Sequence, residues 1–208
     1  MAAGTAAVAE NRIDRIRPDA PELAAFGPHP IGVQTLTFTH PGQHDILNTT
    51  ADSQPIHDRP PTVAGWYPAA PGTEPGGSYR TVLRDGATEV TLQGRAARAA
   101  EPATGARYPL VVISHGYPGN RFLLSHLGEN LASKGYVTVS IDHTDSTYSD
   151  QAAFGSTLLN RPIDQRFVID QMAALDGPPG ATTADSPAGV NGASLAGYGP
   201  RTLALRGL

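Results

Sequence analysis

The chain has 208 residues, 39% hydrophobic and 16% charged, enough for one globular domain with a real core and too few for two full domains. Its formal net charge of −4, with no basic run, argues against nucleic acid or an anionic membrane surface as partner and leaves small molecules. The absence of cysteine excludes disulfides, thiolate zinc sites and a cysteine nucleophile. There is no run of about 18 apolar residues to span a bilayer, and the first ten residues lack the basic and apolar regions of a secretory signal, so a cytoplasmic location is expected.

Residues 1–30 are rich in Ala and Pro, and Pro21, Pro28 and Pro30 interrupt any periodicity, so this stretch reads as an arm whose order must come from packing on the rest. Residues 32–39 alternate apolar and polar at period two, as a half-buried antiparallel strand does, and Thr62 to Tyr67 is a second candidate strand. Between them, residues 40–61 read as a long hairpin connection or small insertion. His40, His44 and His57 with Asp45 and Asp58 are expected there as solvated side chains. Trp66 and Tyr67 read as core and rim aromatics. The stretch from Pro68 to about Arg107 reads as loop.

The pattern changes at Leu110 to Ser114, a continuous apolar run suited to a strand covered on both faces of a parallel sheet. Asn120 is placed to cap a helix over residues 121–134, with Leu124, Leu127 and Leu131 on one stripe and Gly135 as the stop. Tyr136 to Ile141 is the next strand. Strand, helix, strand with short connections predicts a right-handed βαβ unit with parallel strands. A second helix is predicted from about Pro162 to Leu175, capped by Asn160, with Ile163, Phe167, Val168, Met172 and Leu175 as its apolar face. After Asp176 the sequence turns poor in core residues: 11 of the 32 residues from Gly177 to Leu208 are Gly or Pro, against roughly one in eight in average usage.

The feature richest in chemistry is the apolar strand running into Ser114, His115, Gly116, Tyr117, Pro118 and Gly119. A strand that ends at such a turn leaves backbone N–H groups at the carboxyl edge of the sheet, where α/β sheets bind ligands and where a developing oxyanion can be held. On this reading Gly116 permits the tight turn and Tyr117 supplies the N–H. The bare pattern fits an ordinary strand-to-helix turn equally well. A phosphate-cradling P-loop motif is absent.

Three stretches carry a family resemblance: YPLVVISHGYPGN from Tyr108 to Asn120, GYVTVSIDH from Gly135 to His143, and RPIDQRFVID from Arg161 to Asp170. Together with Ile31 to Leu36 and Gly65 to Pro68, they resemble the predicted dienelactone hydrolase and platelet-activating-factor acetylhydrolase-like branch of the α/β-hydrolases, over about residues 30–176. The resemblance implies an α/β fold with a mixed, mostly parallel sheet and helices on both faces. It also implies a serine esterase with triad order Ser, then Asp or Glu, then His, and the Ser on a G-x-S-x-G elbow. Dienelactone hydrolases use cysteine, which this chain lacks, so the implied nucleophile is a serine. Ser194, within VNGASLAGYG, is the candidate, with the N–H groups of Tyr117 and Leu195 as oxyanion hole. His115, Gly116 and His143 are candidates to line the substrate site at the same edge. His115 and His143 also read as organisers of their loops, and Ser194 as part of an irregular Gly/Ala-rich tail.

The resemblance puts the acid and histidine after two later strands, and the chain stops at Leu208, so the sheet is read as truncated. The expected organisation is an arm over residues 1–30 and a partial hydrolase domain over 31–208. That domain divides into N-terminal strands and loops over 31–107, a βαβα core over 108–176 and an elbow region or tail over 177–208. The expected function is a carboxylic-ester hydrolase acting on a small-molecule ester through an acyl-enzyme, with no cofactor and no metal. The competing reading is a truncated or frame-disrupted fragment, or a pseudoenzyme, without catalysis. A flavodoxin-like nucleotide binder would share the parallel sheet but lacks a phosphate loop. Oligomeric state and the identity of the ester are not legible.

Overall fold

The computed structural model describes residues 11–151, 154–175 and 189–192. In chain order they form β1 (Ile31–Thr37), β2 (His40–His44), β3 (Ile56–Arg59), β4 (Thr62–Pro68), β5 (Gly77–Val82), β6 (Glu89–Gly94), β7 (Ala97–Arg98), β8 (Leu110–Ser114), α1 (Ser125–Ser133), β9 (Val137–Asp142), α2 (Phe154–Ala174) and β10 (Gly189–Gly192). Six strands make one mixed sheet in the order β10-β8-β9-β4-β1-β7. β4 runs antiparallel to both β1 and β9, while β8 is parallel to both β9 and β10. The expected α/β architecture is present, with antiparallel strands first and parallel strands after.

The alternation along β4 explains why both faces are covered. Val63 and Tyr67 point to one face, where they join Leu110, Val112, Val137, Val139 and Ile141 under Val168 and Met172 of α2. Ala64 and Trp66 point to the other, where they meet Ile31, Tyr79, Phe122 and Ala132 of α1. Trp66 and Tyr67 are both fully enclosed.

Three elements differ from their sequence expectation. The stretch after Pro68 is not a plain loop: it holds the antiparallel hairpin β5–β6 and the short β7, which pairs parallel to β1. Its outward residues are polar, which hid the alternation. The turn signal was nevertheless there, since Asp85 accepts from the N–H groups of Ala87 and Thr88 and Gly86 adopts φ +72°.

The helix α1 is shorter than predicted, and its leucine stripe is not its buried face. Ser125, Gly128, Glu129, Ala132 and Ser133 face inward, while Leu123 is exposed and Leu124, Leu127 and Leu131 are half-buried. Close approach to Trp66 selects small residues, because a Cβ on Gly128 would lie 2.6 Å from the indole. The Glu129 carboxylate accepts hydrogen bonds from Tyr79 Oη (2.5 Å) and from the N–H groups of Arg95 and Ala96 (2.9 and 3.0 Å). Asn120 caps the turn before the helix, accepting from the N–H of Phe122 at 2.9 Å.

The helix α2 begins at Phe154, more than two turns before Pro162, which therefore sits inside it and leaves the Leu158 carbonyl without its usual donor. Asn160 is not a cap but a buried helical residue donating to Ser156 Oγ. Ile163 faces outward. The first half of α2 buries Ser156, Thr157, Asn160, Arg161, Asp164 and Gln165 instead, a polar face that an apolar periodicity cannot reveal.

From residue 11 onward the N-terminal stretch packs on the body. Residues 11–13 exchange backbone hydrogen bonds with Gln93, and Gly27 donates to Ser133 Oγ. His40 and His57 lie on the β2–β3 hairpin, where His40 stacks on Phe167 with ring centroids 4.0 Å apart.

Candidate active site

The strands β8 and β9 end side by side, and the turn from His115 to Gly119 leaves the sheet at this edge. It is stapled to the loop after β9: Gly119 donates to the carbonyl of Ser146, and Tyr148 donates to the carbonyl of Gly119. Gly116 shows neither positive φ nor, among the described residues, any atom within 4 Å of an added Cβ. The turn's need for glycine instead falls on Gly119, where a Cβ would come within 2.6 Å of His115 Nδ1. The Tyr117–Pro118 peptide is cis. Among the described residues no acceptor engages the Tyr117 N–H, and the Tyr117 ring meets Phe154 edge-on at 5.3 Å.

Beneath the turn lies a buried polar network that the sequence did not announce. Ser114 Oγ is 2.9 Å from His143 Nε2, and His143 Nδ1 is 3.1 Å from Asp164 Oδ2. Asp164 also receives Nε and Nη2 of Arg59, both at 3.2 Å, and Arg59 reaches on to Asp145 at 3.0 Å and to the carbonyl of Thr144 at 3.1 Å. Asp145, at φ +71°, accepts in turn from Ser156 Oγ.

The electrostatics follow from burial. Burial depresses the His143 pKa, and the nearby Asp164 only partly restores it, so the ring is neutral near pH 7. Its contact with Asp164 is therefore a charge-assisted hydrogen bond from Nδ1–H, which leaves Nε2 to accept the Ser114 hydroxyl. Burial raises the Asp164 pKa, but His143 and Arg59 outweigh it and the carboxyl ends below its usual range. For Arg59, burial is likewise outweighed, here by Asp164 and Asp145.

This Ser–His–Asp sequence has the donor–acceptor order of a hydrolytic triad, yet it cannot act as one. Ser114 and His143 expose no surface and Asp164 only 1%, so no carbonyl carbon can approach Ser114 Oγ.

His115 is also enclosed. Its Nε2 accepts from the N–H of His143 at 3.5 Å, its Nδ1 lies 2.7 Å from the carbonyl of Gly116, and burial, then His143 and Arg161, hold its pKa well below the ordinary value. Arg161 lies alongside: Nη1 donates to the carbonyl of His115 (2.5 Å), and Nη2 to the carbonyl of Gly116 (2.6 Å) and to Ser146 Oγ (2.7 Å). Arg59, Arg161 and Asp164 escaped sequence reasoning, since charged residues are read as solvated by default. For Arg161 and Asp164 the available signal was their interruption of the apolar face of α2, and Arg59 on β3 carried none.

β10 pairs parallel to β8 in the register Gly189↔Val111 to Gly192↔Ser114. Ser194 and Leu195, the sequence candidates for nucleophile and second oxyanion donor, lie outside the described residues. A cavity of about 730 Å³ lies between the arm and α1 and is lined by none of the turn residues. One of about 170 Å³, lined by Asn120, Arg121, Asp142, Thr147 and Tyr148, borders the turn.

The strand order, with antiparallel β1 and β4 followed by parallel β9, β8 and β10, and the turn at the end of β8 are those of the α/β-hydrolase fold. The solved ferulic acid esterase from Streptomyces cinnamoneus superposes on 95% of this chain and 59% of its own, with a TM-score of 0.67 and 25% sequence identity. Residues 78–168 match the family described as platelet-activating factor acetylhydrolase, isoform II. Platelet-activating factor acetylhydrolase of Canis lupus familiaris is 44% identical over 46 residues, which are 22% of this chain and 10% of that protein. That of Bos taurus is 37% identical over 51 residues, 24% of this chain and 12% of that protein. The matched stretches thus span about a tenth of these relatives. The chain has the α/β-hydrolase fold and is similar, over residues 78–168, to the platelet-activating factor acetylhydrolase family.

Proposed function

We propose that the chain is a serine-type carboxylic-ester hydrolase with Ser194 as nucleophile and the N–H groups of Tyr117 and Leu195 as oxyanion hole. The observation that carries this reading is the pairing of β10 beside β8 in the register Gly192↔Ser114. The chain thereby reaches the edge that bears the Tyr117 N–H two residues before Ser194. The acetylhydrolase and esterase similarities support the reaction class and a small-molecule ester as substrate.

In this reading Ser194 Oγ attacks the ester carbonyl carbon while its proton passes to a solvent water, and the carbonyl oxygen gathers negative charge against the two N–H groups. Collapse of the intermediate expels the alkoxide, which takes a proton from water to become the alcohol, and a second water hydrolyses the acyl-enzyme to the acid and free Ser194. Loss of one oxyanion donor costs about 100- to 1,000-fold in kcat in enzymes of this kind. His115 and His143 are enclosed and their ring nitrogens engaged, so neither takes the Ser194 proton.

The test is hydrolysis of p-nitrophenyl acetate, whose leaving group departs without protonation, by the purified chain and by Ser194→Ala. Turnover that depends on Ser194 is expected. Equal rates would rule out the nucleophile and favour a non-catalytic chain.

A further inference from the structure

We infer that Arg161 is the positioning residue of the oxyanion turn: its grip on the Gly116 carbonyl aims the Tyr117 N–H. The catalytic meaning rests on the ester-hydrolase reading above, but the geometry does not.

The Gly116 C=O and the Tyr117 N–H belong to one peptide unit. In a planar trans peptide the two bonds point in opposite directions, so whatever fixes the carbonyl also fixes the amide. The Gly116 oxygen is held twice, by Arg161 Nη2 at 2.6 Å and by His115 Nδ1 at 2.7 Å. The preceding carbonyl, of His115, is held by Arg161 Nη1 at 2.5 Å. A single planar fork thus locks two consecutive peptide planes, which a flexible ammonium could not do. The plane of the fork is itself set by Ser146 Oγ, 2.7 Å from Nη2 and 3.2 Å from Nε.

The charge adds to the geometry. Arg161 is 3% exposed, and burial lowers its pKa only to about 10, so it is protonated at neutral pH. A cation on the carbonyl side of a peptide draws electron density from the amide and makes its N–H a better donor in a low-dielectric site. A neutral residue at position 161 would forfeit both effects. His115 Nδ1 would still touch the Gly116 oxygen, but the His115 carbonyl would lose its partner.

The experiment uses the 208-residue chain labelled with 15N-tyrosine, which yields at most seven backbone signals, with Tyr117 assigned through Tyr117→Phe. In the wild type the Tyr117 amide should be as rigid as the sheet tyrosines. In Arg161→Gln its order parameter should fall below about 0.6 while those of Tyr67 and Tyr79 stay high. Arg161→Lys, which keeps the charge but not the fork, and Ser146→Ala should show smaller losses in the same direction. In the hydrolysis assay, Arg161→Gln should lose about 100-fold in kcat with KM unchanged.

A Tyr117 amide that stays rigid in Arg161→Gln overturns the inference, as does loosening spread equally over all the tyrosines. So does a Ser194-dependent wild-type rate that Arg161→Gln leaves intact. If the wild type shows no Ser194-dependent turnover, the ester-hydrolase reading fails by itself, and the amide dynamics still decide the role of Arg161.

Discussion

Ser114 Oγ stands 2.9 Å from Nε2 of His143, with both side chains sealed from solvent. That enclosure makes the hydroxyl a support for the imidazole rather than a nucleophile. Ser114→Ala should lower stability by about 1–3 kcal/mol, the cost of leaving a buried acceptor unpaired, as read from urea unfolding through Trp66 fluorescence. A fluorophosphonate probe should modify the Ser194 peptide to the same extent in wild type and Ser114→Ala. Loss of labelling in a folded Ser114→Ala would show that the buried hydroxyl takes part in the chemistry.

Acid should destabilise the protein from mildly acidic pH downward. His115 and His143 are held below the ordinary imidazole value of 6.5 in the fold, in both cases chiefly by burial. Below pH 6.5 the unfolded chain therefore binds protons that the folded chain refuses. Stability is complete above that value and falls as pH drops toward the folded pKa values, by up to about 1.4 kcal/mol per pH unit for each imidazole. Asp164, depressed by its partners, adds a further loss below its ordinary value of 3.8, as pH falls through its folded pKa. Urea midpoints between pH 7.5 and 5 should decline, and His115→Gln should make the decline shallower. A flat profile in the wild type would contradict the enclosure of both rings.

Glu129 is the polar anchor of α1. Glu129→Gln preserves helix propensity but turns an NH₂ group toward donors from Tyr79, Arg95 or Ala96. A loss of about 2 kcal/mol is expected in urea unfolding. The Tyr79 phenol, whose pKa is pushed up by burial and by the Glu129 carboxylate, should show no phenolate absorbance while the protein remains folded.

Two glycines should respond to alanine with opposite signs. Gly128→Ala places a methyl group 2.6 Å from Trp66, and an overpacking cost of about 1–3 kcal/mol should exceed the roughly 1 kcal/mol gained in helix propensity. At Gly155, in the first turn of α2, no described atom lies within 4 Å of the added Cβ, so alanine should stabilise by up to about 1 kcal/mol. Thermal unfolding of the two variants side by side would show it, and a gain at Gly128 would contradict the packing described.

The legible parts of the fold are those where local pattern and burial agree. Leu110 to Ser114 and Val137 to Ile141 are buried by the same apolar run that announces them, and Gly135 stops α1 at φ +90°. The rest was hidden by polarity inside. The first half of α2 buries Arg161 and Asp164, so its apolar pattern begins two turns late. The leucines of α1 sit beside its contact face, where Trp66 leaves no room for a side chain at Gly128. At the site, the turn at Tyr117 was readable from the strand that feeds it. Its support was not, because Arg59 and Asp164 are 105 positions apart and nothing local joins them.

That separation bears on how the turn comes into being. Arg59 closes onto Asp145 across 86 positions and onto Asp164 across 105, whereas α1 and its flanking strands are joined by short connections. Loop-closure entropy delays such distant pairings relative to local ones. The contacts of α2 are nearer in sequence, 21 positions for Asp164 with His143 and 46 for Arg161 with His115, so Arg59 is expected to join the network last. The Arg59 clamp on Asp164 is then a late addition to a turn that Arg161 already grips, and a chain without it should keep the turn but hold His143 less firmly.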